Sequence, residues 1–202
     1  MTGRLDRNGA IEALVRGEVV ALPSDTVYGV GASLAHPDAV ARLFALKGRP
    51  TTVALPVIVE DVARVVALGV HWTPRAARLA EAFWPGALTI IVEAPGDLAR
   101  LIGSTNGVGL RRPNDDVLLD VVGRVGPIAL SSANRHGEGP CTSAASVLES
   151  FADSPALAGV LDDGVRDGVV SSVVDLTGPG WRVVRLGAVS LEALTRVLGP
   201  PA

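Results

Sequence analysis

The segment from residue 18 to residue 49 constrains the fold more than any other part of the sequence. Its apolar run, Val19–Leu22, predicts a strand that ends at Pro23, because proline cannot donate to a sheet hydrogen bond. A polar loop, two glycines and an amphipathic helical pattern up to Lys47 follow. This order of elements indicates an α/β protein with a binding site where the strand ends.

Two features of this segment bear on ligand binding: its glycines and the cations at the end of its helix. Gly29 and Gly31 allow either a positive φ or the close approach of another group to the backbone. Gly48 predicts the end of the helix, and the cations Lys47 and Arg49 flank it. They either complement the helix dipole or bind an anion, and the sequence leaves both interpretations open.

Composition narrows the class of protein. Of the 202 residues, 48% are hydrophobic but only 3% are aromatic, which predicts one domain, residues 1–202, with an aliphatic core between layers of strands and helices. The net charge of −3 excludes an overall basic surface for nucleic acid or membrane, so any anion site must be a local cluster.

The number and spacing of cysteines, histidines and apolar residues restrict the cellular location and the metal sites that we predict. The one cysteine, Cys141, excludes an internal disulfide and a cysteine-based zinc site, and it favours a reducing compartment. The N-terminal residues lack the apolar stretch of a signal peptide, and no apolar run is long enough to span a membrane. We therefore predict a cytoplasmic protein without a membrane contact. The three histidines share no metal-ligand spacing, so no metal held by protein side chains is predicted.

Apolar runs and helical patterns alternate along the rest of the chain. Two runs that flank the turn at residues 177–180 predict a β-hairpin, Thr142 is predicted to cap a helix, and residues 94–106 are predicted to be irregular. Because a hairpin accompanies alternating elements, we predict an α/β fold, a twisted mixed sheet with packed helices. Further strands are predicted at residues 54–59, 87–92, 108–111, 127–130 and 158–161.

Polar and basic side chains gather at four predicted strand or helix ends. If they converge, they form a cleft for a polyphosphate and a carboxylate, where each charge-assisted hydrogen bond contributes about 1.5 to 3 kcal/mol. The alternative is that they are ordinary turn formers and solvated charges, which contribute about 0 to 1 kcal/mol per pair. The clusters are Ser24, Asp25 and Thr26; Lys47 and Arg49; Arg111 with Ser132 and Asn134; and Ser171 and Ser172 with Arg185.

Seven segments in these regions resemble, in the same order, those of the YrdC/Sua5 family of threonylcarbamoyl-AMP synthases. The resemblance covers roughly residues 11–190, and the pairing of Lys-x-Arg with Ser-x-Asn is its most specific part. The segments are LPSDTVYGVG (22–31), KGRP (47–50), WPGALT (84–89), VGLRRP (108–113), SSAN (131–134), SSVVDLTG (171–178) and VVRLGAV (183–189).

The resemblance implies a fold, an activity and partners. The fold would be YrdC/RibB-like with a large central cleft, in the short form without a further C-terminal domain. The activity would be that of a nucleotidyltransferase that joins L-threonine, bicarbonate or CO2 and ATP into L-threonylcarbamoyladenylate and releases pyrophosphate. The product would serve t6A modification at position 37 of tRNA, with t6A-transfer proteins as partners and tRNA or double-stranded RNA as a candidate ligand.

The resemblance also assigns site residues. Mg²⁺ is expected on the phosphates, carried mainly by ATP. The threonine-binding residues would be Thr26, Arg111 and Ser171, with Arg111 pairing with the carboxylate. The ATP-binding residues, of which the first two would be catalytic, would be Lys47, Arg49, Ser132, Asn134 and Arg185.

Departures from the family pattern keep other functions open. Val53 stands where Lys or Asn is common, and Ile58 where several members carry His, so amino-acid recognition is expected to differ. The alternatives are a YrdC-like carbamoyltransferase that forms carbamoyl-AMP, and a non-catalytic RNA-binding module.

Overall fold

A computed structural model describes residues 3–48, 50, 52–135 and 138–201. Over these residues the chain forms one sheet with helices packed against it. The strands are β1 (Gly3–Leu5), β2 (Val19–Leu22), β3 (Gly29–Ser33), β4 (Val57–Ile58), β5 (Leu88–Glu93), β6 (Gly107–Arg111), β7 (Ile128–Ser132), β8 (Leu157–Leu161), β9 (Ser172–Asp175) and β10 (Arg182–Arg185). The helices are α1 (Arg7–Val15), α2 (Pro37–Lys47), α3 (Val62–Ala67), α4 (Pro74–Phe83), α5 (Gly96–Leu101), α6 (Asp116–Val125), α7 (Ala144–Ser150) and α8 (Leu191–Leu198).

The sheet is mixed, with the order β1-β8-β2-β3-β7-β4-β6-β5-β9-β10. Strand β7 lies between β3 and β4 and is antiparallel to both, whereas β6 is parallel to β4 and antiparallel to β5. Strands β9 and β10 form the predicted hairpin, which joins the sheet through parallel pairing of β9 with β5. The predicted α/β fold with a mixed sheet is confirmed.

Side chains of the central strands alternate between two hydrophobic cores. On β7, Ala129 packs into the larger core, while Ile128 and Leu130 pack into a smaller core that includes side chains of α1 and α6. Strand side chains point to opposite faces in turn, so both sheet faces carry helices. The smaller core covers only part of its face and leaves room for a cleft beside it.

Two local predictions are wrong. Residues 94–106 contain the helix α5, which buries Leu98 and Ala99; at six residues it is too short for a clear periodic pattern. The cap of α7 is Ser143 rather than Thr142, because Ser143 Oγ accepts from the Ser146 amide while Ser146 Oγ accepts from the Ser143 amide.

Two boundaries also differ from the predicted ones. In the segment 54–59 only Val57–Ile58 is a strand, because Pro56 has no N–H for the ladder. The predicted strand at 127–130 extends to Ser132, so the hydroxyls of residues 131 and 132 belong to the strand rather than to a loop. Gly48 ends α2 with φ 58°, as predicted.

No helix in the described part of the chain has the length and apolar character of a membrane span.

Candidate functional site

A cleft of about 390 Å³ opens on the sheet face that carries the smaller core. Its floor comes from alternate residues of the central strands, such as Leu130 of β7, Ile58 of β4 and Thr89 of β5. Its walls come from the loop after β2 and from the segment before β9. Both departures from the family pattern, Val53 and Ile58, lie in this lining.

The glycines of β3 leave room for the side chain of Leu130, on β7, in the floor of the cleft. A Cβ atom on Gly29 would lie 2.8 Å from Cγ of Leu130, closer than real Cβ atoms approach. Neither Gly29 nor Gly31 has a positive φ, so both serve close packing rather than a turn. Of the two glycine interpretations, close approach is therefore the one that the structure supports.

Arg111, at the end of β6, is the most heavily bonded cation of the cleft. Its Nε donates to the carbonyl of Gly86 (3.0 Å), its Nη1 to Oγ1 of Thr26 (3.1 Å) and its Nη2 to Oδ1 of Asp25 (2.6 Å). Oδ2 of Asp25 accepts from the amide of Asn114 (3.0 Å). The loop after β2 is thus tied to the end of β6.

The hydroxyl of Thr26 has a defined direction. Ser24 Oγ donates to the carbonyl of Val27 (2.7 Å), so the proton in its 3.0 Å contact with Thr26 Oγ1 comes from Thr26. Thr26 Oγ1 in turn accepts from Arg111. A hydroxyl oxygen accepts two hydrogen bonds, so Thr26 offers a ligand an acceptor in the described part of the site.

A second cation, Arg185, lies beside Ser171. Its Nε donates to the carbonyl of Ser171 (3.0 Å) and its Nη2 to Ser171 Oγ (3.1 Å), and that hydroxyl also contacts Thr89 Oγ1 (3.1 Å). Ser172 instead bonds backbone groups of Gly187 and Val189, which is a structural role.

The cleft holds two guanidinium groups close enough to affect each other. Burial lowers the pKa of Arg111, the carboxylate of Asp25 opposes that shift, and the charge of Arg185 adds to it. Partial burial also lowers the pKa of Arg185. Both groups remain protonated, since an arginine pKa lies far above neutrality. The carboxylates that oppose these charges, Asp25 and Asp115, do not line the described cavity, whereas both guanidinium groups do, so this end of the cleft attracts anions.

At the opposite end of the cleft, Ser132 lines the cavity, and Lys47 and Asn134 adjoin it. Lys47 Nζ donates to the backbone carbonyls of Ser132 and Asn134, which joins the end of α2 to the end of β7. The Asn134 amide donates to the carbonyls of Arg135 (2.8 Å) and Glu138 (2.9 Å), while its buried Oδ1 has no hydrogen-bond partner among the described residues.

The two ends are well separated along the strands. Arg111 pairs with Ile58, and Ile58 with Ile128, so Arg111 stands level with the start of β7. Ser132 lies four positions further along β7, or roughly 13 Å at about 3.3 Å per residue. The backbone positions of Arg111 and Ser132 therefore lie at different levels along the cleft floor.

The structure groups the predicted site residues as follows. Arg185 stands beside the predicted threonine residue Ser171 rather than beside Lys47. Lys47 and Asn134 adjoin the cleft through the end of β7, and Arg49 lies outside the described residues. The predicted residues that line the cavity are Thr26, Arg111, Ser132, Ser171 and Arg185.

Sequence reasoning missed Thr89 and the apolar floor. Thr89 is buried, lines the cavity and contacts Ser171. It was visible as an alternate residue of a predicted strand, but which face of that strand meets the cleft depends on sheet pairing.

The cleft suits a magnesium ion only if the phosphates of a bound ligand supply most of its oxygen ligands. Hydroxyl and carbonyl oxygens are present, but the described lining contains no carboxylate. Nor do the described residues form a cluster of three or more metal-ligating side chains. Mg²⁺ prefers phosphate oxygens and water with one or two carboxylates, so the ion would be held mainly by a bound nucleotide.

A second hollow, of about 450 Å³, lies beside the stacked rings of Trp72 and Trp84. Its charged lining residues are Asp61, Glu81 and Arg112. With carboxylates outnumbering the cation, this hollow is less suited to a polyphosphate than the cleft.

Comparisons with known proteins place the chain in a family. The family model for Sua5, YciO and YrdC, described as telomere recombination, matches residues 12–187. A Mycobacterium tuberculosis protein provisionally named threonylcarbamoyl-AMP synthase is 37% identical over 96% of this chain and 89% of its own length. The threonylcarbamoyl-AMP synthase of Bacillus subtilis is 34% identical over 93% of this chain.

A solved structure agrees in fold. Pyrococcus abyssi Sua5 in complex with L-threonine superposes with a TM-score of 0.89, at 32% identity over 98% of this chain. This confirms the predicted YrdC-like fold. The chain spans 60% of that Sua5 chain and 55% of the Bacillus subtilis relative. The chain belongs to the Sua5/YciO/YrdC family.

Proposed function

We propose that this chain is an L-threonylcarbamoyl-AMP synthase, a nucleotidyltransferase that converts L-threonine, bicarbonate or CO2 and ATP into threonylcarbamoyl-AMP and pyrophosphate. The observation that carries the proposal is the two-ended cleft. Paired guanidinium groups with hydroxyls lie at one end, and a buried lysine with a strand-end hydroxyl lies at the other.

The amino acid would bind at the Arg111 end. A carboxylate pairs well with the flat guanidinium of Arg111, and Thr26 Oγ1 is placed to accept from the amino acid. Ser171 would complete this pocket from the opposite wall. The complex of Pyrococcus abyssi Sua5 with L-threonine supports this assignment, because that protein shares the fold at 32% identity.

The nucleotide would extend toward Lys47. The ammonium of Lys47 would neutralise the departing pyrophosphate, assisted by Arg49, and the hydroxyl of Ser132 would contact the nucleotide. The Oδ1 of Asn134, which has no partner in the part of the chain that the structure describes, would accept a hydrogen bond from the nucleotide. Arg185, close to the amino-acid end, would reach the α-phosphate, where the two ligands meet.

The chemistry needs alignment and charge rather than a protein nucleophile. The threonine amine attacks CO2 and loses a proton to form a carbamate. A carbamate oxygen then attacks the α-phosphorus, and the bond from that phosphorus to pyrophosphate breaks. Positioning and neutralisation of developing charge supply the catalysis in such phosphoryl-group chemistry. Mg²⁺, when bound with ATP, would contribute further neutralisation.

A pyrophosphate-release assay tests the proposal. We expect release from ATP only when L-threonine and bicarbonate are both present. Equal release without threonine would contradict it. Because Val53 and Ile58 lie in the lining, L-serine and other amino acids belong in the assay as competing substrates.

Two further arms separate the alternative functions. AMP formation that depends on carbamoyl phosphate would indicate a carbamoyltransferase. Tight binding of double-stranded RNA, falling steeply with salt and without turnover, would indicate an RNA-binding module. In the cell, the product is expected to pass to t6A-transfer proteins.

A further inference from the structure

We propose that Asp25 is a positioning residue that fixes the Arg111 guanidinium for the carboxylate of the amino-acid substrate. The inference rests on the proposed function and deepens it. Asp25 does not line the cavity among the described residues; it acts through Arg111.

The first argument is burial of an ion pair. Oδ1 of Asp25 lies 2.6 Å from Nη2 of Arg111, and the two side chains are only 13% and 8% exposed. Its other oxygen accepts from the Asn114 amide, three residues after Arg111. Asp25, Arg111 and Asn114 therefore form a closed ring, in which the carboxylate has little freedom to turn.

The second argument is the count of donors. A guanidinium carries five N–H groups. Gly86, Thr26 and Asp25 each take one of them, from Nε, Nη1 and Nη2 respectively. Within the described part of the chain, one N–H then remains on each terminal nitrogen. A bidentate carboxylate contact uses two N–H groups, so Asp25 helps to decide which pair faces the ligand.

The third argument is charge. Arg185 repels Arg111, whereas Asp25 attracts it. Without the carboxylate, the two guanidinium groups would face each other with no counter-charge on Arg111 among its hydrogen-bond partners in the described residues. Asp25 therefore allows both cations to stay at the amino-acid end before the substrate arrives.

The loop after β2 is also held by Arg166, and this second set of contacts supplies a matched control. Arg166 Nε donates to the Ser24 carbonyl (2.8 Å), and its Nη2 pairs with Asp115 (3.2 Å). Asp115 also caps α6, a role that asparagine performs equally well. Asp115→Asn therefore removes a charge from these contacts to the loop without removing a hydrogen bond of Arg111, on which the Asp115 charge acts only through space.

The experiment compares Asp25→Asn, Asp25→Ala and Asp115→Asn with the unchanged protein. Calorimetry measures L-threonine binding, and pyrophosphate release gives KM for L-threonine and for ATP. We expect both Asp25 variants to raise the Kd and KM for L-threonine about tenfold or more, the cost of disturbing one charge-assisted hydrogen bond. The KM for ATP should stay within about twofold, since a positioning role affects one substrate. Asp115→Asn should leave threonine binding within about twofold.

Several outcomes would overturn the inference. They are unchanged threonine affinity in Asp25→Asn, equal increases of both KM values, or an Asp25→Asn protein that does not fold, which would make Asp25 a structural residue. If Asp25→Ala alone fails to fold, Asp25→Asn decides. If the unchanged protein does not bind L-threonine, the proposed function fails instead, so the two failures are distinguishable.

Discussion

At the scale of single residues, Lys47 shows that the groups around a charged side chain decide what it binds. It is the last residue of α2, where a cation commonly complements the helix dipole. Its side chain is instead buried, and its Nζ binds carbonyls at the end of β7. A lysine is rarely this buried unless it is paired, and the carbonyls of Ser132 and Asn134 are the partners here.

We predict that Lys47→Met lowers kcat for pyrophosphate release by about 10² to 10³, as expected for the loss of a cation that stabilises the transition state. The free energy of unfolding should also fall by about 1 to 3 kcal/mol, because two buried carbonyls lose a donor. Arg42→Met is the control: Arg42 lies exposed on the same helix and bonds the distant Gly17 carbonyl. Equal kinetic losses in both variants would contradict the assignment.

Residue types at strand ends predicted most of the site, but not its internal arrangement. The family resemblance placed Thr26 and Arg111 in one group, and they are bonded. The residue types had instead grouped Arg111 with Ser132 and Asn134. Ser171 and Arg185 formed one predicted cluster, and the pairing of β9 with β10 brings them together. Where this pair lies relative to Arg111 depends on how β9 pairs with β5, and strand register is not readable from the local sequence. The partners of the Asn134 amide depend on the path of the following loop in the same way.

At the scale of elements, strand β3 sets the depth of the cleft. It reads GVGAS, a weak strand by propensity, and the sequence analysis noted two glycines there without predicting a strand. Tertiary packing outweighs propensity because Leu130 of the neighbouring strand fills the space above Gly29. The amphipathic helices were easier to predict, and the helix that the sequence predicts up to Lys47 ends there, as α2.

We predict that Gly29→Ala destabilises the protein by about 1 to 3 kcal/mol, the usual cost of overpacking, because the new Cβ would lie 2.8 Å from Leu130 Cγ. Denaturant unfolding measures the effect. Gly178→Ala, with nothing within 4 Å of the new Cβ, should be nearly neutral. Adding Leu130→Ala should make the Gly29→Ala change less costly than it is alone. Strictly additive losses would contradict this packing account.

At the scale of the whole molecule, the sheet brings together residues that are far apart in the chain. Thr26 and Arg111 lie 85 residues apart, as do Lys47 and Ser132; three of the four line one cleft, and Lys47 adjoins it through its contact with Ser132. The hairpin β9–β10, at one edge of the sheet, places Arg185 on the cleft wall. Asp175 holds this hairpin, accepting from Thr177 N and Oγ1 and from two nitrogens of Arg182.

We predict a loss of stability in acid that depends on this hairpin. Burial raises the pKa of Asp175, but hydrogen bonds from Thr177 and Arg182 outweigh it and lower the pKa overall. A lowered folded-state pKa adds stability above the unfolded-state pKa, about 3.9, and this stability is lost as pH falls through the folded-state value. The stability difference between the unchanged protein and Asp175→Asn should therefore be constant above about pH 5 and shrink below about pH 4.

Chemical denaturation at a series of pH values measures this difference. Asp153→Asn, at an exposed position, keeps the Thr177 and Arg182 bonds, so its pH profile should follow that of the unchanged protein. A difference for Asp175→Asn that stays constant to the lowest pH would contradict the prediction.

The central claim is that one cleft joins an amino acid to a nucleotide through a bicarbonate-derived carbon. Mass spectrometry of a reaction with ATP, L-threonine and ¹³C-labelled bicarbonate tests it most directly. The account predicts an adenylate that contains threonine and one labelled carbon, formed together with pyrophosphate. Detection of AMP or ADP alone, with no labelled threonine-containing adenylate in samples analysed at once, would contradict it.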